Sequence, residues 1–133
     1  MAADLVISKC RQVEVVQQFT GPAVEAIAVG QRCRFDATTG KIALGNGTNA
    51  AEAARGGIAV HAAAIGETVT IINQGLVDVG EALAALNFGA LVYVSDTDGT
   101  FADTAGTVSV AAGMVIPVWG SPTADRVLWL FGN

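Results

Sequence analysis

The chain has 133 residues, of which 52% are hydrophobic and only 14% charged, and its net charge is −5. Seven Lys and Arg with no basic run exclude the positive footprint that nucleic-acid binding needs, and no stretch reaches the roughly 18 unbroken apolar residues of a membrane-spanning helix. At 13.5 kDa a single domain over residues 1–133 buries about two thirds of its unfolded surface, so neither metal nor disulfide is required to staple it.

Ordinary domains carry about 25% charged residues. With so little charge, much of this surface must be Ala, Gly, Thr and Asn, or be covered by a partner. The composition therefore points to an oligomer or an assembly.

The chain opens on Met1-Ala-Ala-Asp-Leu5, with an acid where a secretion signal needs a basic segment. A cytosolic product with reduced thiols is expected, a Cys10–Cys33 disulfide being the alternative. Cys10 and Cys33 lie far apart and match no metal-binding spacing. Residues 1–20 carry two apolar stretches, Leu5-Val6-Ile7 and Val13–Val16. They read either as an arm that meets a partner by strand addition or as a first strand, Gln12–Phe19. Leu5, Val6, Ile7, Val13 and Val15 are the candidate contact residues.

Short β-rich runs follow, separated by turn residues. Strands are predicted over Arg32–Asp36, Lys41–Leu44, Gly57–Ala62, Thr68–Ile72 and Gly75–Val79. Further strands are predicted over Ala90–Ser95, Thr107–Val110, Met114–Trp119 and Arg126–Phe131. Thr38-Thr39-Gly40 and Asp96-Thr97-Asp98-Gly99 supply the turns. Asn49–Arg55 and Glu81–Leu86 contain helix formers but are short, and are read as loops with brief helix at most. Trp119 ends a strand before Gly120-Ser121-Pro122 and is a candidate interface or sugar-stacking residue. Trp129 and Phe131 alternate on the last strand and are assigned to the core.

An internal repeat organises these runs. Gly21–Ala43 aligns without a gap over Gly80–Ala102, at a constant offset of 59. Gly21/Gly80, Ala23/Ala82, Gly30/Gly89, Thr38/Thr97, Gly40/Gly99 and Ala43/Ala102 are identical. With a small gap, Gly57-Ile-Ala-Val aligns over Gly113-Met-Val-Ile, and Thr68-Val-Thr-Ile over Arg126-Val-Leu-Trp. The fold expected is all-β, a small barrel or sandwich of two pseudo-repeated units, 21–79 and 80–133, closed into one barrel. Alternation places Cys33, Phe35, Val92 and Val94 inward and Arg32 and Arg34 outward.

Convergent reactive groups are missing from the sequence. His61 is the only histidine, so no dyad can be assembled around it, and a strand histidine facing solvent or a neighbour is expected. Asp96, Asp98 and Gly99 faintly resemble a calcium loop, but Thr107 stands where the closing Glu should be. Gly45-Asn-Gly47-Thr-Asn-Ala50 reads as G-x-G-x-x-A without the helix that a dinucleotide site needs. No enzyme, cofactor or metal is expected.

The stretch from Gly21 to Phe131, through GQRCRFDATTGKIAL, GGIAVHAAAIGETVTI and GALVYVSDTDGTF, resembles the capsid decoration (cement) proteins of bacteriophages with small β-barrel folds. The resemblance implies a structural protein of the virion, made in the host cytoplasm and bound to the major capsid protein on the outer surface of the shell. It implies a homo-oligomer, commonly a trimer at three-fold sites, with dimers also known in the type, and no nucleic-acid or membrane partner. The competing reading is a carbohydrate- or surface-binding β-module of a phage fibre, for which Trp119 and Tyr93 would be the stacking residues.

Overall fold

A computed structural model describes residues 4–53, 56–119 and 124–132. The expected turn Gly120-Ser121-Pro122, the start of the arm at Ala2 and the end of the helical stretch at Arg55 lie outside these residues. The described residues form a nine-stranded antiparallel sheet that curls into a half-barrel. The strands are β1 (Arg11–Pro22), β2 (Arg32–Phe35), β3 (Ile42–Leu44), β4 (Gly56–Ala59), β5 (Thr68–Asp78), β6 (Leu91–Val94), β7 (Phe101–Ala102), β8 (Ala111–Trp119) and β9 (Ala124–Phe131). Among the described residues, helix is limited to α1 (Ala50–Ala53) and a 3₁₀ turn over Gly80–Leu83, as the short helix-forming runs predict. No helix among the described residues is long and apolar enough to cross a membrane.

The sheet path, β3-β2-β4-β5-β9-β8-β6-β7, is palindromic about the β5–β9 pair. Each half repeats the same pairings at equivalent residues. Arg34 faces Ala43 and Phe35 faces Ile42; Tyr93 faces Ala102 and Val94 faces Phe101. Cys33 faces Gly57 as Val92 faces Gly113. Backbone bonds outside the ladders repeat as well. Gly30 N–H donates to Ala59 C=O and Gly89 N–H to Val115 C=O; Asp36 N–H donates to Lys41 C=O and Ser95 N–H to Thr100 C=O. The turn glycines share left-handed backbone, with φ of 83° at Gly30 and 88° at Gly89, and 73° at Gly40 and 70° at Gly99. That conformation explains why glycine recurs at these places. The last strand is the exception to the alignment. Met114 lies opposite Trp129 where Ile58 lies opposite Ile72, so Ile72 corresponds to Trp129, one residue before the match read from sequence.

The core is split in two. One cluster joins Val92, Val94, Phe101, Val115, Leu128 and Leu130 of the second unit to Ile58, Ile72 and Val77 of the first. The other lies on the opposite face of the first unit and joins Ala23, Ile27, Cys33, Ile42, Ala59, Val69 and Ile71. Alternation along β5 sends Ile71 and Ile72 to different cores. Asn73, skipped in the pairing with β1, is a bulge that resets the alternation, so Val77 joins the same core as Ile72. The buried Asn73 amide donates to Gly56 C=O at 2.6 Å, which satisfies it inside the protein.

Several expectations are corrected. The barrel is open in its ladders, since β3 and β7 end the path, and loops bridge the ends instead: Gly99 N–H donates to Gly45 C=O, and Gly47 N–H to Ser95 C=O. Thr68–Ile72 and Gly75–Val79 are one strand, because Gly75 carries the chain through at a φ of 142°, which favours glycine, with the Glu14 carbonyl close by. Thr107–Val110 is not a strand; Thr107 caps Asp96 instead, through its N–H and its hydroxyl, each at 2.8 Å. Arg32 does not face solvent. It is only 1% exposed, on the face that the second unit covers, while Arg34 is half-buried and donates to Leu44 C=O at 3.0 Å. Phe35 turns outward and meets Phe19 edge to face at 5.2 Å. Trp129 is 42% exposed and is not a core residue.

Candidate interface surfaces

The first twenty residues divide into a docked segment and a strand. Asp4 to Cys10 runs over the larger core. Leu5 N–H donates to Phe101 C=O at 2.8 Å, and the Asp4 carboxylate accepts from the hydroxyls of Ser95 and Thr97. Leu5, Ile7 and Cys10 pack on the core cluster, while Val6 between them is 86% exposed. Leu5 and Ile7 are thus turned toward the protein and Val6 toward solvent. Burial, with a smaller contribution from Asp78, pushes the Cys10 thiol up to about 12. Burial likewise pushes Cys33 up to about 12, and both are free thiols.

β1 pairs with β5 along its whole length, while β4 and β9 share the other edge of β5. Its remaining edge has no partner strand among the described residues. Arg11 to Gln18 are all exposed. Val13 and Val16 are bulge residues, skipped in the register with β5. Val13, Val15 and Val16 are the exposed apolar side chains of the strand, Val16 the most open at 63%. Asp78 anchors the start of β1. It accepts from Arg11 at 3.1 Å, lies 3.8 Å from Lys9, and takes the Gly80 N–H at 2.9 Å. The Gly80 N–H and then these two cations hold its carboxyl below the usual carboxylate range.

Trp119 ends β8 opposite Ala124 and is 71% exposed. It is well separated in register from a third apolar surface, which sequence reasoning missed. Across the second unit, Leu91 faces Met114, Met114 faces Trp129, Trp129 faces Leu76, and Leu76 faces Glu14 of β1. Leu91, Met114 and Leu76 are half-buried, and Phe131 beside them meets Trp129 edge to face at 5.1 Å. A signal for this face is present in the sequence. β8 and β9 carry apolar residues at both parities, whereas a sheet solvated on one face alternates apolar with polar.

The polar candidates are absorbed by turns. Thr39 donates its hydroxyl and N–H to Asp36, and Thr107 does the same for Asp96, which holds both carboxyls below their usual range. Asp98 accepts from the Asn46 amide at 3.1 Å across the loop seam. His61 is exposed; its Nε2 accepts from Thr70 N–H at 3.3 Å and its Nδ1 lies 3.0 Å from Ala62 C=O. Both ring nitrogens therefore serve the strand end. No group of three or more His, Cys, Asp or Glu among the described residues is placed to hold a metal.

Comparison with known proteins finds no matching family model, no similar curated protein and no similar solved structure.

Proposed function

We propose that this chain is a non-catalytic structural protein that binds the outer surface of a bacteriophage capsid and stabilises the shell, in copies that associate with one another. The sequence resemblance supplies the partner. The observation that carries the reading is β1, a twelve-residue strand with exposed valines and one edge unpaired among the described residues. Such an edge invites an extended segment of another protein, through main-chain hydrogen bonds and alternate side-chain contacts. A segment offered only by the assembled shell would make binding selective for that state, so binding stabilises it by mass action. Symmetric copies then turn weak contacts into firm ones. Trimers at three-fold sites are what the resemblance implies, with dimers as the other form.

The exposure of Trp119 favours a second reading, a carbohydrate-binding module. Against it, Trp129 and Phe131 stand at 86° to one another and offer no flat platform for a sugar ring. Cosedimentation with expanded phage heads separates the readings. The expected result is saturation at a fixed copy number per head, lost in a Val13→Lys/Val16→Lys double variant and kept in Trp119→Ala. A protein that ignores the heads but binds a glycan through Trp119 would overturn the capsid reading.

A further inference from the structure

From the comparison of the two units we infer that the row Leu91–Met114–Trp129–Leu76 is a contact face that a second copy of this chain covers. In the first unit the equivalent row is Arg32–Ile58–Ile72, at the same ladder positions. There the row is covered. Arg32, Ile58 and Ile72 are each 1% exposed or less, and the two isoleucines form one core with the inner face of the second unit. The chain thus buries this surface of the repeat once, against another unit of its own kind, and leaves it open once. The open copy has kept apolar side chains, with leucine in place of Arg32 and tryptophan in place of Ile72.

Two copies can also meet on this face with little repulsion. The chain carries −5, yet the row holds no charge until Glu14 at its end. A face that packs on itself is isologous and closes at two copies. The row crosses five strands, a width of about 19 Å, and the open parts of β8 and β9 run for about 20 Å. That is about 400 Å² of flat area per copy, below the roughly 800 Å² per partner of a standard interface. Weak pairing is therefore expected, tightened where copies are concentrated on a shell. This inference rests on the reading of copies that associate, and it commits to a two-fold contact.

The test needs no capsid, so its failure is separate from failure to bind heads. Trp119→Phe removes one of the two tryptophans and leaves Trp129 as the reporter. Mass by light scattering and emission are followed together over concentration. The mass is expected to double from 13.5 kDa as the concentration rises to millimolar, with Trp129 emission moving to shorter wavelength on the same curve. Met114→Glu is expected to abolish both changes, and should that variant not fold, the paired curves of the Trp119→Phe protein decide alone. A mass that stays monomeric to millimolar protein, settles at a trimer, or doubles while the emission stays fixed would overturn the inference. So would a Met114→Glu protein that still dimerises.

Discussion

At Gly57 a methyl group would stand 2.3 Å from the Ile72 carbonyl oxygen, and at Gly113 it would stand 2.3 Å from that of Trp129. The obstacle is backbone in each case, so no side chain can move aside. Both glycines sit where a neighbouring strand must approach closely. Gly57→Ala and Gly113→Ala are each expected to cost about 2–3 kcal/mol, in the upper range of overpacking. Gly40 supplies the contrast. Nothing lies within 4 Å of its added methyl, and only its φ of 73° resists substitution. Gly40→Ala should cost about 1–2 kcal/mol, and thermal unfolding of the three variants gives the order. The thiols give a second prediction at this scale. Cys10 and Cys33 ionise near 12 when folded, against 9.0 ordinarily. The unfolded chain therefore loses these protons first, and stability falls as pH rises from about 9 through about 12. Well below pH 9 both thiols are protonated in either state and contribute no slope. Neither should react with a disulfide reagent at pH 8 until denaturant is added, and Cys10→Ser with Cys33→Ala should flatten the alkaline limb of a stability–pH curve.

β1 is the element whose stability and role part company. Its side chains bury little, so Val13→Lys and Val16→Lys should each change stability by no more than about 0.5 kcal/mol, even where they abolish head binding. Urea unfolding of the two variants checks this. A larger loss would mean that the valines serve the fold. Most strands were legible because short alternating runs ended at Gly, Asp or Thr turns, and the paired glycines registered the two units. Four features were not legible, and each has a tertiary cause. Burial of Arg32 depends on a second unit covering an outward strand face, which alternation alone cannot report. The continuity of β5 through Gly75 depends on β1 pressing against it. The return of Val77 to the core that holds Ile72 needs the Asn73 bulge. The exposure of Trp129 was hidden because β9 is apolar at both parities. Of the contact residues read from sequence, Val6, Val13, Val15 and Trp119 are exposed, while Leu5 and Ile7 lean on the core.

At the scale of the molecule, the accessible surface of 6470 Å² matches the roughly 6,500 Å² of a compact chain of this mass, so the exposed apolar residues do not reflect a loosened fold. The two cores are not independent either. β5 sends Ile71 to one and Ile72 and Val77 to the other, and Ile58 on β4 joins the second unit although its neighbour Ala59 joins the first. Loss of the first unit's strands would open the core of the second, and loss of the second unit's strands would expose Ile58, Ile72 and Val77 of the first. Unfolding should therefore be a single cooperative transition, with the urea curve read from Trp129 emission in the Trp119→Phe protein coinciding with the curve from far-ultraviolet circular dichroism. Ile58→Ala should move both curves together, by about 2–5 kcal/mol, although Ile58 belongs to the first unit and Trp129 to the second. Curves that separate, or a substitution that moves only the dichroism, would mean two units folding side by side. A shared β5 forbids that, since it supplies Val69 and Ile71 to one core and Ile72 and Val77 to the other.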